Sequence, residues 1–327
     1  KGWDAMLEAY SYPPFTQLWA WGEAQAALGK RVVRHMASTA SGTWLVQWIE
    51  ERRGPFCYWF APQGPVIPES ATREELGAFL SECRARLGTI TQRALFYRIE
   101  PRVRGAHVKT HIEANAFSGV LGQRVRSLNP ATSFVVDLTG SAHEDFERFH
   151  KKTRYNVRLA ERHAVVGRGG TEQDIPVVLD LMRETAKRDG FVGHDDRYVR
   201  TVCGALMQSG CGKLRVAECL GKPLAVNLEV LCGDTVMYLY GASSSEDREK
   251  MAAYALQWSA IFAARQEGVR WYDFGGGNPE HETDLEYRPS WEGITRFKER
   301  WGAQRVQELG TFDLVAHPWL YRLLVRR

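Results

Sequence analysis

The sequence predicts an α/β fold with mixed sheets, organised as two tandem domains. Three observations lead there. The chain has 327 residues, more than one compact core usually takes. Short alternating apolar runs, read as strands, are interspersed with segments of 3.6-residue periodicity, read as helices. One order of elements (strands, then a helix, then a strand ending at a loop) occurs twice, as a duplicated α/β unit would show.

The first half supplies the first copy. PFTQLWAWGEAQAALG reads as an amphipathic helix around Leu18, Trp19, Ala24 and Leu28 that ends at Gly29. TWLVQWIE and PFCYWFAP read as strands, the second closing at a Pro-x-Gly-Pro turn. TREELGAFLSECRARLG starts at the Thr72 cap and is expected to stop at Gly88. ALFYRIEP follows as a strand.

The second half repeats the order. SFVVDL reads as a strand, HEDFERFH as a helix, and a basic helix comes next. KLRVAECLGKPLAVNLEVLCGDTVMYLYGA gives three strands, with turns expected at Gly221-Lys222 and Gly233-Asp234. EKMAAYALQWSAIFAARQEG is a helix with a terminal glycine, and VRWYDFGG is the strand after it. No low-complexity linker separates the halves, and the boundary is placed near Asp137.

Composition narrows the class. Hydrophobic residues make up 44% and charged residues 25%, ordinary for a soluble globular protein. No apolar run approaches the roughly 18–20 residues of a membrane helix. The start, KGWDAMLEAY, has neither the apolar stretch of a signal peptide nor an initiator Met. The six cysteines are scattered without a C-x-x-C pair, which points to buried thiols and a reducing cytoplasm. His107 and His111 lie four apart without the rest of a zinc motif, so no metal is expected. Net charge is +4, compatible with an acidic partner.

Four stretches carry candidate chemistry. RWYDFGGGNPEHE places Asp273 before Gly275, Gly276 and Gly277. It lacks the Lys of a Walker loop and the helix that a dinucleotide fingerprint opens. It reads either as a flexible strand exit or as backbone bending beside a substrate. In Lys151-Lys152-Thr153-Arg154-Tyr155-Asn156-Val157-Arg158, continuing to Arg162, helical spacing puts Arg154, Arg158 and Arg162 on one face. Such a stripe suits phosphates, with Tyr155 able to stack on a base or sugar; a solvated basic face is the plain alternative. Period two puts Tyr238 and Tyr240 on one face of their strand, either to orient a polar substrate or to pack in a core. Lys298, beside Phe297 in GITRFKERWG, is either a surface lysine or a partly desolvated cation able to steady an oxyanion or a phosphate. No Ser-His-Asp or Cys-His set can be assembled.

The order of these motifs carries more than any one of them. R-Y-N-V-R-L-A-E, Y-L-Y-G-A-S-S, a long helix, Y-D-F-G-G and G-I-T-R-F-K-E-R-W-G succeed one another in a way that resembles the FemABX family of peptidoglycan-bridge aminoacyltransferases. The resemblance is strongest from Ser133 to Gly302. Over the first 130 residues it rests on F-T-Q-L-W-A-W-G, similar to the family's N-terminal Gln-x-x-x-W helix, with Trp21 in the Trp position.

The resemblance implies two tandem GNAT-like acyltransferase domains: residues 1–136 plus 308–327 on the precursor side, and 137–307 on the aminoacyl-tRNA side. The implied reaction moves an amino acid from aminoacyl-tRNA to the stem-peptide amine of a peptidoglycan precursor, either UDP-MurNAc-pentapeptide or lipid II, without a cofactor. A lipid-linked acceptor would add peripheral membrane contact. Phe297-Lys298 would sit at the reaction centre with Tyr238 and Tyr240 nearby. The segment from Ala164 to Phe191 leaves no room for the helical arm of some members, so the compact type is expected. Compact members that use the soluble UDP-linked precursor carry a Lys soon after the Trp, and Trp21-Gly22-Glu23 offers none.

The chemistry suits a site without a triad. An aminoacyl ester is already activated, so the enzyme has to align two substrates and stabilise an oxyanion. Asp273 is a candidate for positioning the amine. Two other classes remain: a GNAT-type transferase with an acyl-CoA donor, against which GASSSEDREKMAAYALQW lacks the usual Gly pattern, and a non-catalytic RNA- or envelope-binding module.

Overall fold

The computed structural model describes residues 2–104 and 119–324, so the His107–His111 pair lies outside the described residues. The chain divides into two compact units. Unit one takes Lys1–Thr132, Pro279–Arg288 and Val306–Arg327; unit two takes Ser133–Asn278 and Pro289–Arg305.

Unit one opens with α1 (Gly2–Glu8), a 3-10 turn (Phe15–Gln17) and α2 (Trp19–Ala27). The single helix expected there is broken at Leu18, whose ψ of 147° is extended. Gln47 holds the break: its side-chain amide donates to the carbonyls of Thr16 and Leu18, and the Leu18 carbonyl also accepts from the Gly22 amide. Next come β1 (Val32–Thr39), β2 (Gly42–Arg53), β3 (Phe56–Ala61), β4 (Val66–Pro68), α3 (Arg73–Ile90), β5 (Ala94–Ile99), β6 (Arg102–Arg104) and β7 (Gln123–Val125). A reciprocal Thr72–Glu75 capping box starts α3. The helix runs past Gly88 to Ile90, because buried Leu87 docks its last turn and accepts from the Thr91 amide. The core lies between α3 and the inward residues Trp44, Val46, Trp48 and Trp59.

Unit two contains β8 (Thr132–Asp137), α4 (Ala142–Arg148), α5 (Lys151–Arg162), β9 (Val165–Gly169), α6 (Ile175–Asp189) and α7 (Asp196–Gln208). β10 (Gly212–Cys219), β11 (Lys222–Cys232), β12 (Thr235–Ser243), α8 (Ala252–Gln266), β13 (Trp271–Gly276), α9 (Glu292–Glu299) and β14 (Gln304–Gln307) complete it. The first hairpin turn falls at Leu220-Gly221, one residue earlier than expected; both residues have positive φ, as a primed two-residue turn requires. The strand order is β14-β8-β13-β12-β11-β10-β9. Its core packs α8 residues Ala260, Ile261 and Ala264 against Phe134, Val136, Tyr272 and Phe274.

The chain returns to unit one with β15 (Thr311–Val315) and α10 (Pro318–Leu324). β15 pairs antiparallel with β5, and Asp313 on it accepts two hydrogen bonds from Arg98 at 2.7 and 2.8 Å.

The two units share one plan. In each, antiparallel strands lead to a strand that pairs in parallel with the strand following a helix: β3 with β5 across α3, and β12 with β13 across α8. The duplicated order in the sequence is this repeated crossover. Among the described residues no helix is long and apolar enough to cross a membrane.

Candidate active site

The site lies in unit two, where β12 and β13 part. Their parallel pairing spans only Thr235↔Trp271, Val236↔Tyr272 and Met237↔Asp273. Beyond it β12 stays with β11, while β13, paired with β8 from Trp271 on, passes an irregularity between Asp273 and Gly276 before Gly276 meets Ser133. Asp273 is 1% exposed, and its carboxylate accepts from the Gly275 amide at 2.7 Å, closing a tight turn. Gly275 has φ +71°, and a Cβ there would lie 3.4 Å from the Tyr238 carbonyl and 3.8 Å from Lys298 Nζ. Positive φ and close approach both select glycine.

Lys298 reaches this split from α9. Its ammonium donates to the carbonyl of Gly276, and the side chain is 4% exposed. Burial lowers its pKa to about 8, against an upward pull from the Asp273 carboxylate. Phe297 sits beside it, edge-on to Tyr254 and Trp301 at 5.5 and 6.0 Å. Thr295, three residues before Lys298, accepts from the Asn278 amide at 2.9 Å and ties α9 to the end of the glycine run. Lys298, Asp273, Gly275, Gly276 and the Tyr238 backbone are thus brought together. Pro279–Arg288, including His281, belongs to unit one, where Glu286 accepts from the amide and hydroxyl of Ser127.

The expectation that Tyr238 and Tyr240 share a face is corrected. Glu229 pairs with Tyr238 and the adjacent Leu228 with Tyr240, so Leu239 is an extra, unpaired residue and β12 carries a bulge. Adjacent strand residues face opposite ways, so the two tyrosines do too. Tyr238 joins the α8-side core, near the buried Glu229 carboxylate. That carboxylate accepts from Arg215 Nε at 2.6 Å and from the Tyr272 hydroxyl at 2.9 Å, and Gln257 of α8 donates to Tyr272. On the other face Tyr240 meets Tyr198 at 3.4 Å between the hydroxyls and His194 at 5.4 Å between the rings. Burial, first of all, raises both tyrosine pKa values.

The basic helix α5 is spent in part on the fold. Arg154 donates to the carbonyls of Glu147 and Phe149, closing the end of α4, and Arg158 lies over the Phe146 ring at 5.2 Å. Lys151, Lys152 and Tyr155 are exposed. Lys152 and Asn156 line a cavity of about 410 Å³ at the N-terminus of α8, with Arg248, Ser244 and Tyr254. Tyr254 is the ring that meets Phe297, so this cavity lies one side chain from the Phe297-Lys298 pair. Met251 caps α8 in a left-handed conformation without a side-chain hydrogen bond. In unit one, Trp21 is buried edge-on to Phe15 at 5.2 Å. Its indole nitrogen has no hydrogen-bond partner among the described residues. Among the described residues, no group of His, Cys, Asp and Glu side chains is placed to hold a metal ion.

Comparison with known proteins locates this geometry. The Acetyltransferase (GNAT) domain family matches residues 147–283, the stretch that holds the parting strands and α8. A lipid II:glycine glycyltransferase of Staphylococcus haemolyticus is 21% identical over 397 aligned positions, covering 98% of this chain and 92% of the relative. Its Staphylococcus aureus counterpart (strain USA300) is 22% identical at the same coverage. The crystal structure of FemX superposes with a TM-score of 0.84 at 20% identity, covering 99% of this chain and 97% of FemX. In fold the chain resembles FemX along nearly its whole length. L-PGS from Bacillus licheniformis shares the fold less closely, with a TM-score of 0.58 at 14% identity, covering 99% of this chain and 95% of L-PGS.

The alignment with the S. haemolyticus relative is longer than the chain's own 327 residues, so that relative carries insertions this chain lacks. Ala164–Phe191 holds only β9, a 3-10 turn and the 15-residue α6, and no long helical arm. Glu229 and Gln257 escaped the sequence reading. A carboxylate inside the otherwise apolar LAVNLEVL was the available signal, since a buried strand seldom carries a charge without a partner.

Proposed function

We propose that this protein transfers an amino acid from aminoacyl-tRNA to the stem-peptide amine of a peptidoglycan precursor. The observation that carries the reading is the buried Lys298 ammonium held at the split of β12 and β13 against the Gly276 carbonyl. Similarity to lipid II:glycine glycyltransferases over 98% of the chain supports the reaction class. In the step, the neutral acceptor amine attacks the ester carbonyl and a C–N bond forms. The negative charge passes to the carbonyl oxygen, the C–O bond to the ribose breaks, and the amine proton ends on the ribose hydroxyl. Lys298 is assigned to the developing oxyanion, where a fixed cation in a water-poor site acts most strongly. Asp273 shapes the Gly275 turn and faces the same cation, and Tyr238 and Phe297 wall the site. Lys152, beside the uncapped start of α8, is assigned to donor phosphate, with Lys151, Arg158 and Tyr155 of the same helix as further contacts. Trp21 and the rest of unit one are assigned to the precursor.

The deciding experiment incubates purified protein with charged tRNAs and with soluble or lipid-linked precursor, and reads the product by mass spectrometry. Transfer that falls by about 10²–10³ in Lys298→Met is the expected result. Absence of transfer from every charged tRNA would overturn the proposal. A second reading, an acyl-CoA donor, is favoured by the GNAT match and the cavity at the α8 N-terminus. Tight acetyl-CoA binding by calorimetry would bring it forward.

A further inference from the structure

We infer that α10 docks unit one onto an anionic lipid surface. The helix has two unlike sides. Tyr321 is buried, its hydroxyl donating to Asp313 at 2.6 Å and its ring meeting Phe96 edge-on at 5.3 Å. Leu320 packs with it. Trp319, Leu323 and Leu324 turn outward, 77%, 51% and 42% exposed. The inner side is therefore fixed, and three large apolar side chains of a seven-residue helix face solvent. Single exposed apolar residues are unremarkable, but a Trp with two Leu on one short docked element forms a patch.

The exposed charges around the patch that lack a carboxylate partner are of one sign. Arg322 lies on the helix itself. Arg53, at the β2–β3 hairpin, lies 6.0 Å from the Tyr58 ring, which stacks on Phe96 at 4.6 Å, the ring that Tyr321 meets. Arg93 opens β5, its carbonyl accepting from the Cys57 amide in β3. Arg53, Arg93 and Arg322 are exposed, and none has a carboxylate partner among the described residues. Two acids lie on this face: Glu51, opposite Tyr58 in β2, is paired with Lys30 at 2.7 Å, and Asp313 is buried and held by Arg98 and Tyr321.

Cations alone would suit any polyanion. A polyanion such as RNA, however, offers nothing to Leu323 and Leu324, whereas a bilayer interface takes Trp and Leu into the headgroup and acyl boundary while arginines meet anionic heads. The inference adds to the transfer reading the surface on which a lipid-linked acceptor would be met. Its test uses neither donor nor acceptor, so either can fail without the other.

The test is cosedimentation of the full chain with vesicles of mixed phosphatidylglycerol and phosphatidylcholine, against pure phosphatidylcholine. We expect binding to the mixed vesicles at least about tenfold tighter than to the neutral ones. We expect a loss of about tenfold or more in the Trp319→Ala, Leu323→Ser double variant and in the Arg53→Glu, Arg322→Glu double variant, with unchanged circular dichroism and melting. Protein that stays in the supernatant overturns the inference, and so does binding untouched by both variants. It is equally overturned if the apolar variant loses tRNA binding instead, or turns a wild-type dimer into a monomer.

Discussion

Lys298 donates to the backbone carbonyl of Gly276 at the point where β12 has just released β13. A short helix therefore delivers a cation to the place where these two strands of unit two stop pairing. The ammonium has a carbonyl and a nearby carboxylate, Asp273, but remains a charge taken out of water. Such a group is costly to the fold and useful to a reaction that develops negative charge.

That cost is measurable as pH dependence. Lys298 has a pKa near 8 in the folded protein against an ordinary 10.5. Between these values the unfolded chain binds more protons, so stability rises with pH across the window. Relative to Lys298→Met, wild type should gain about 3 kcal/mol between pH 8 and 10.5, the size of such a shift. Urea unfolding of both proteins across that range checks it, and a flat difference would refute the burial argument. Activity should move the opposite way: transfer that needs the ammonium falls above about pH 8, and Lys298→Arg should lack that alkaline limb.

Two glycines separate backbone strain from contact at the site. Gly275 and Gly268 have φ of +71° and +75°. A Cβ on Gly268 would meet nothing within 4 Å, whereas one on Gly275 would approach Tyr238, Met237 and Lys298. Alanine at either should cost about 1 kcal/mol of stability through the left-handed backbone. Only Gly275→Ala should also lower kcat, by about tenfold or more if Lys298 is displaced. Equal kcat in the two variants would remove Gly275 from the site.

In unit one, Asp313 holds the returning strand. It is fully buried, takes both nitrogens of the Arg98 fork and accepts from Tyr321. Asp313→Ala leaves the Arg98 guanidinium buried without its partner, which typically costs roughly 3–5 kcal/mol. Thermal unfolding should show unit one melting well before unit two. A shift of under about 1 kcal/mol would mean that Arg98 finds water instead.

Much of this was legible in the sequence because local chemistry and tertiary demand agree there. The hairpin glycines, the Thr72 capping box and the long apolar face of α8 each specify their element alone. For Lys298 the neighbouring Phe297 and Trp301 allowed a surface or a desolvated position alike; the structure shows it buried. What stayed hidden depends on partners far away in the chain. The break at Leu18 is held by Gln47, about thirty residues on. The engagement of Arg154 with the end of α4 needs the α4–α5 corner, which helical spacing does not describe. Glu229 finds Tyr272 and Gln257 only once α8 lies on the sheet.

The bulge at Leu239 is the plainest case, because one extra residue reverses a face and leaves no mark in composition. It gives a direct prediction. His194 meets Tyr240 at 5.4 Å and Tyr198 at 4.5 Å, while Tyr238 lies across the sheet beside Glu229. In double-mutant cycles on stability, His194→Ala with Tyr240→Ala should show coupling of about 0.5 kcal/mol or more. His194→Ala with Tyr238→Ala should be additive within about 0.3 kcal/mol. Were β12 unbulged, both tyrosines would share the His194 face and both cycles would couple. Additivity in the Tyr240 cycle would instead show that the His194 ring contact carries no energy in solution.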